Sequence, residues 1–312
     1  MGITARFQIV VFLLPAFFAR PASAGSGASP NARIDMWQRG TGDPADQTPR
    51  DVRSVDLDTQ PLVEVRRADI QYGGQFGYRG VRVQTLIERY DPPAAVDLAL
   101  LHFANGMQVP FEFRDSALVE RIDPFIARAM RSAPGKPFVT GRFPNIDRAR
   151  AGFVDVRPIE FGANKLVVGR REHPAVPEAS QAVFSPWMHV DSLVGIEFVS
   201  SKAYYAQFDV DSDPDVRAGL ALFRQSCQFC HGARKVGAAF GWDFVDPVPV
   251  YSYRGARNLF YHVKYKPLDA TAKGLMMPAL SHMSEQDATS VWRWLRAVAT
   301  RPMPVYAPAV AR

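Results

Sequence analysis

The only two cysteines of this chain stand three positions apart, with a histidine directly after the second, in "RQSCQFCHGARKVG". Whatever chemistry needs a thiol in these 312 residues must therefore use Cys227 and Cys230. A disulfide closing so short a loop would contribute little through chain entropy. A thioredoxin-like redox pair belongs at the start of a helix, whereas this pair follows the far end of one. Zinc would require further ligands at zinc-like spacing, and the chain has no more cysteines. A haem satisfies the pattern. Each thiol adds to one vinyl group of the porphyrin, and His231 is held beneath the iron as an axial nitrogen ligand.

The start of the chain gives this pair an address. "MGITARFQIVVFLLPAFFARPASAGS" has Arg6 in a short basic lead, an apolar run from Phe7 to Ala19, and small residues at Ala22 and Ala24. That pattern predicts a secretory signal over residues 1–24, cut after Ala24. The run is too short to cross a bilayer, and no later stretch reaches the ~20 apolar residues a spanning helix requires. An exported, periplasmic protein without a stable membrane span is the expectation.

Further along, residues 25–60 are rich in Gly, Ser, Pro, Asp and Arg and read as a flexible lead-in. Residues 61–208 read as a mixed α+β domain. In it, "VDLALLHFANGMQVPFEF" predicts a hairpin turning at Asn105-Gly106, of the kind that favours a type I′ turn. "SALVERIDPFIARAM" has helical spacing, with Pro124 placed to kink or split it. "NKLVVG" and "DSLVGIEFVSS" read as strands. At Asp213 the signal switches to helix, with Asp213 as N-cap, Pro214 as first helical residue, and Val216, Leu220 and Phe223 on one apolar face. A last helix is predicted from "SEQDATSVWRWLRAVA", where Ser284 and Asp287 form a capping-box start. Two helices thus bracket a loop-rich middle within 213–312.

The iron's second axial ligand is sought in "KGLMMPALSHMSEQD", which offers Met276, Met277, Met283 and His282. Met277 is chosen because Pro278 stiffens the backbone behind it. Met276 and Met283 read as packing residues, and His262 and His282 as surface or hydrogen-bonded histidines. With these residues in view, 213–312 resembles a single-haem class I c-type cytochrome. The matching parts are Gly219 and Phe223 on the first helix, the Cys227, Cys230, His231 segment, Met277-Pro278, and Trp294-Leu295 on the last helix. The resemblance implies an all-α cytochrome c domain in which Gly219 meets the Trp294 region, with one covalent haem c ligated by His231 and Met277. The loop "GWDFVDPVPVYSYRGARNLFYHVKY" follows the family only loosely.

Residues 61–208 resemble the sulfite-oxidase-type molybdopterin-binding fold, through "YRGVRVQTLIERYDPPAAVDLALLHFANGMQVPFEFRD" and the closing "PWMHVDSLVGIEFV". Enzymes of that family bind molybdenum through a cysteine thiolate, and this region has no cysteine. The departure argues against a molybdenum cofactor and for a fold that kept its frame and lost its metal.

The formal charge of +6 falls to +4 without the two signal-peptide arginines, and 213–312 alone carry 13 Lys and Arg against 7 Asp and Glu. A basic surface beside a haem would steer an acidic redox partner. Export and the lack of a basic aromatic stripe exclude nucleic acid. The leading expectation is a periplasmic electron carrier, itself not catalytic, taking single electrons from a dehydrogenase and passing them to a cytochrome or oxidase. Here the N-terminal domain docks the partner or positions the haem. The alternative is a haem-containing oxidoreductase whose N-terminal domain binds substrate or a molybdopterin-like cofactor.

Overall fold

Apolar runs buried along nearly their whole length, Leu98–Phe103, Phe125–Arg131 and Leu193–Val199, form the inner strands of the N-terminal two thirds. A computed structural model of the chain describes residues 32–39, 48–69, 74–138, 141–143, 159–161, 164–169, 192–210, 213–265, 280 and 282–301. The signal peptide over 1–24 and Met276, Met277 and Pro278 lie outside the described residues.

The larger sheet has five strands: β1 (Arg33–Arg39), β2 (Pro49–Asp56), β5 (Leu98–Phe103), β6 (Gln108–Glu112) and β11 (Leu193–Val199), in the order β2-β1-β11-β5-β6. It is mixed, because β1 runs parallel to β11 while the other pairs are antiparallel. A second sheet orders β10 (Lys165–Val167), β7 (Phe125–Arg131), β4 (Gly74–Arg82) and β3 (Val63–Asp69). The short strands β8 (Gly141–Phe143) and β9 (Ile159–Phe161) pair with each other. Helix α1 (Val83–Tyr90) buries Val83, Leu86, Ile87 and Tyr90. Helix α2 (Ser116–Ile122) starts where the Asp115 carboxylate accepts from the Leu118 N–H at 3.1 Å.

Several local expectations change in detail. The stretch read as a lead-in supplies β1 and β2, with Ile34 and Met36 fully buried in the main core. Its polar residues face outward: β1 alternates buried and exposed positions, while β2 is exposed along most of its length. Pro124 splits the expected helix outright, and the second half, from Phe125, is β7. The β5–β6 hairpin forms, but only Gly106 takes a left-handed backbone, at φ 87°. The Phe103 N–H donates to the Met107 carbonyl at 3.0 Å and three residues, Ala104 to Gly106, lie between them, so the turn is the longer kind with one left-handed residue.

After β11 come α3 (Ser201–Tyr205), α4 (Pro214–Ser226), β12 (His231–Ala233), β13 (Val236–Ala239), α5 (Val250–Tyr253), α6 (Ala256–Tyr265) and α7 (Glu285–Ala299). Both predicted caps form. Asp213 accepts from Asp215 N–H at 2.9 Å, and Ser284 and Asp287 close a capping box. Helices α4 and α7 cross at Gly219, where an added Cβ would sit 2.1 Å from the Ser290 carbonyl oxygen and 2.7 Å from Trp294 Cβ. Beside this crossing the Phe223 and Trp294 rings lie 4.6 Å apart, and the fully buried Trp294 indole donates to the Phe208 carbonyl at 2.9 Å.

The expected succession of an α+β domain and an all-α cytochrome c domain is not what the chain adopts. The described structure is α+β, with 34% helix and 33% strand in mixed sheets, and strands β12 and β13 lie beyond residue 213. The physical reason is alternation: Val236 and Ala238 are buried while Gly237 and Ala239 are less so, a two-residue period hidden in a short, glycine-containing stretch. The cores show the same integration. One face of the larger sheet, with Ala99, Leu101, Ile196 and Phe198, packs on α1 and also takes in Phe229 from the C-terminal part. The opposite face gives Leu98, Leu100 and Val199 to a second core with Phe223, Cys227, Trp294 and Leu295. Among the described residues no helix is long and apolar enough to cross a membrane.

Candidate functional site

The Cys227 to His231 segment is the turn that carries the chain out of α4 into β12. Cys227 caps the helix through its N–H to the Phe223 carbonyl, and the His231 N–H returns to the Cys227 carbonyl at 2.9 Å. Five consecutive residues, Cys227 to His231, therefore carry both thiols and the imidazole on one tight loop. Both thiols are free. Cys227 lies in the second core, and Cys230 packs against the first beside Phe229 and Phe240, so the pair straddles the seam between the two. Burial, with the neighbouring Cys230 thiol adding to it, pushes the Cys227 thiol up to about 12, and burial pushes Cys230 up to about 12 as well. Such thiols are protonated at neutral pH and make poor nucleophiles or redox centres.

His231 is held on three sides. Its ring stacks on Phe244, with centroids 4.5 Å apart and planes at 27°. It lies so close on Gly241 that an added Cβ there would be 2.4 Å from Cε1. Its Nδ1 is 2.8 Å from the Trp242 carbonyl oxygen. A carbonyl only accepts, so Nδ1 carries the proton and donates. In the neutral ring the lone pair then lies on Nε2, the tautomer that a backbone carbonyl acceptor selects for metal-ligating imidazoles.

The larger sheet grips this turn from the other side. The Gln108 N–H donates to the Phe229 carbonyl at 3.1 Å, and the Ala239 N–H to the Gly106 carbonyl at 2.8 Å. The Gln108 side chain accepts from the Tyr204 hydroxyl at 2.7 Å, and the Gln228 side chain accepts from the Tyr205 hydroxyl at 3.2 Å. Arg224 pairs with Glu112 at 2.7 Å while its guanidinium lies 3.7 Å from the Tyr205 ring centroid. The β5–β6 hairpin and α3 thus fix the turn that bears the thiols.

Of the sequence-predicted site residues, the fold brings Cys227, Cys230 and His231 together, while Met277 lies outside the described residues. Leu280, three positions further on, donates its N–H to the Val263 carbonyl of α6 at 2.7 Å. Met283 is buried in the second core, as its packing role requires. Sequence reasoning missed Gly241, Trp242, Asp243 and Phe244. Their only signal was "GWDF" ten positions after the histidine, in a loop without periodicity. Among the described residues no group of three or more His, Cys, Asp or Glu side chains could hold a metal ion.

A porphyrin brings four iron ligands of its own and asks the protein for two thiols and one or two axial donors. The residues present fit that donor set: two reduced cysteines at C-x-x-C spacing, followed by an imidazole whose tautomer is already selected. Neither a scan of protein-family models nor a search of curated proteins returns a match to this chain.

Proposed function

We propose that this protein is an exported one-electron carrier built on a single covalently attached haem. The observation that carries the reading is the His231 ring, fixed by the Trp242 carbonyl in its metal-binding tautomer directly after two free, buried thiols. Cys227 and Cys230 would hold the group through thioethers, with His231 and Met277 as axial ligands. Bound there, the haem supplies reversible one-electron chemistry, and filling both axial positions favours electron transfer over reaction with oxygen. The protein's own residues orient and shield: Phe244 and Gly241 confine the imidazole, and the β5–β6 hairpin keeps the turn from moving.

The partners that suit this reading are redox proteins of the periplasm, a dehydrogenase as donor and a cytochrome or oxidase as acceptor. Helix α6 supports the expectation of a basic contact surface for an acidic partner. Its outward residues Arg257, Tyr261 and Tyr265 recur at i, i+4 and i+8, and residues 247–265 contain Arg254, Arg257 and Lys264 but no Asp or Glu. Tyrosine and arginine are the residue types that dominate protein contacts.

Mass spectrometry of protein from its native host tests the attachment. One haem's mass on the peptide spanning residues 227–231, with pigment surviving denaturing gels, is expected. The double variant Cys227→Ser/Cys230→Ser should lose both signals, and unmodified thiols in the parent would overturn the reading. Met277→Ala should lose the sulfur–iron absorption band. Retention of that band would refute Met277 as ligand.

A further inference from the structure

We propose that Asp243 is the positioning residue of His231: one carboxylate locks the loop whose carbonyl orients the imidazole. The inference rests on the haem reading only for what His231 ligates. The Asp243 side chain accepts four backbone N–H groups. Oδ1 takes those of Arg234 at 3.1 Å, Val245 at 2.7 Å and Asp246 at 2.9 Å, and Oδ2 takes that of Lys235 at 2.7 Å. No other described carboxylate gathers as many backbone donors.

Two of those donors sit on a strained backbone. Arg234 and Lys235, the turn between β12 and β13, have φ of 58° and 62°. A two-residue hairpin turn of this hand normally uses Asn or Gly, because a side chain in the left-handed region crowds its own carbonyl. Here an arginine and a lysine hold it, and the carboxylate binding both N–H groups offsets the strain. Strain kept by surrounding structure marks places where geometry matters.

What the clasp secures is the site. Trp242, whose carbonyl accepts from His231, directly precedes Asp243, and the Phe244 N–H donates to the Gly232 carbonyl at 2.9 Å. The Gly241 N–H donates to the Cys230 carbonyl at 2.7 Å. The Trp242 carbonyl is therefore pinned on both sides, and through Asp243 it is tied to the turn that follows His231. The imidazole is oriented by the polypeptide itself.

The test uses full-length protein carrying Asp243→Asn, alone and with Lys235→Gly. Asparagine keeps the size but replaces one accepting oxygen with a donor. Lysine to glycine removes strain from the turn, so the double variant folds with its hairpin intact. The single variant should show amide hydrogen exchange at Arg234, Lys235, Val245 and Asp246 at least tenfold faster than the parent. The His231 Nδ1–H resonance should shift or vanish, and it should remain perturbed in the double variant. In haem-loaded protein the midpoint potential should rise, because an imidazole that no longer donates from Nδ1 is less basic and favours ferric iron less. A double variant with the parent's Nδ1–H signal and potential would reduce Asp243 to a turn stabiliser and overturn the proposal. So would unchanged exchange in the single variant. If the parent carries no haem, the functional reading falls, and the exchange and Nδ1–H measurements still decide the clasp.

Discussion

Replacing Gly219 with alanine should separate the two helices that frame the site. A Cβ at this position would lie 2.1 Å from the Ser290 carbonyl oxygen, 2.6 Å from its carbon and 2.7 Å from Trp294 Cβ. Two of those atoms are backbone, so no rotamer change relieves them, and α7 must retreat by about 1 Å to reach ordinary contact. Overpacking of this kind costs about 3 kcal/mol at the upper end of its usual range. Alanine's better helix propensity returns about 1 kcal/mol, leaving a net loss of about 2 kcal/mol. With a urea m-value of about 2.5 kcal/mol/M, the unfolding midpoint should drop by about 0.8 M at unchanged m. Gly255, where an added Cβ meets nothing within 4 Å, provides the control. Its carbonyl accepts the first helical bond of α6, so Gly255→Ala should cost under about 1 kcal/mol as a weaker N-cap. A Gly219→Ala midpoint within about 0.2 M of the parent would show that the crossing is not a backbone contact.

Other perturbations probe the network around the turn. Burial alone would raise the Glu197 carboxyl, but the His102 hydrogen bond and the Arg39 charge outweigh it and hold the group down at about 2. A depressed carboxyl contributes stability present above its unfolded pKa and lost as pH falls through the folded one. About 3 kcal/mol should therefore disappear between about pH 5 and pH 2. Urea titrations should show a shallower acid slope for Glu197→Gln, and equal slopes would refute the assignment. The buried thiols act at the other end of the scale. The free thiols of the folded protein hold their protons to about 12, while the unfolded chain releases them from about pH 8.5, so stability falls as pH rises beyond that point. The variant Cys227→Ser/Cys230→Ser should lose less stability between pH 8 and pH 10, as urea midpoints would show. Gly241→Ala would put a methyl 2.4 Å from the His231 ring and should abolish the Nδ1–H resonance, so its persistence would contradict the geometry.

Local chemistry made part of this fold readable. The Asp213 cap, the Ser284–Asp287 capping box and the strands around Leu98 and Leu193 follow from side chains acting on their own neighbours. The meeting of Gly219 with Trp294 was foreseeable only through resemblance, since nothing local says which aromatic a helical glycine will face. Strands β1 and β2 were hidden because β1 carries polar residues on one face and β2 is exposed along most of its length, which gives both the composition of a loop. Hairpin β12–β13 was hidden because Arg234-Lys235 is not a turn dipeptide. Its conformation is imposed by Asp243, eight or nine positions away. The all-α expectation failed at this hairpin, where tertiary contacts outweighed local propensity.

The same integration bears on how the two parts of the chain work together. A metal-bearing turn in a free-standing unit would be rigid only through its own helices. Here Phe229 reaches into the core of the larger sheet, Gln108 and Tyr205 hold Phe229 and Gln228 just before Cys230, and Gly106 holds Ala239 of the strand that pairs with His231. The sheet region therefore need not bind anything to matter. On the proposed haem reading, holding the turn would limit how far the surroundings of His231 relax when the charge on the iron changes. Small relaxation is what fast, repeatable one-electron exchange demands, because each reorganised dipole adds to the barrier. On that reading, loosening the hairpin should slow electron exchange in haem-loaded protein before it unfolds the protein.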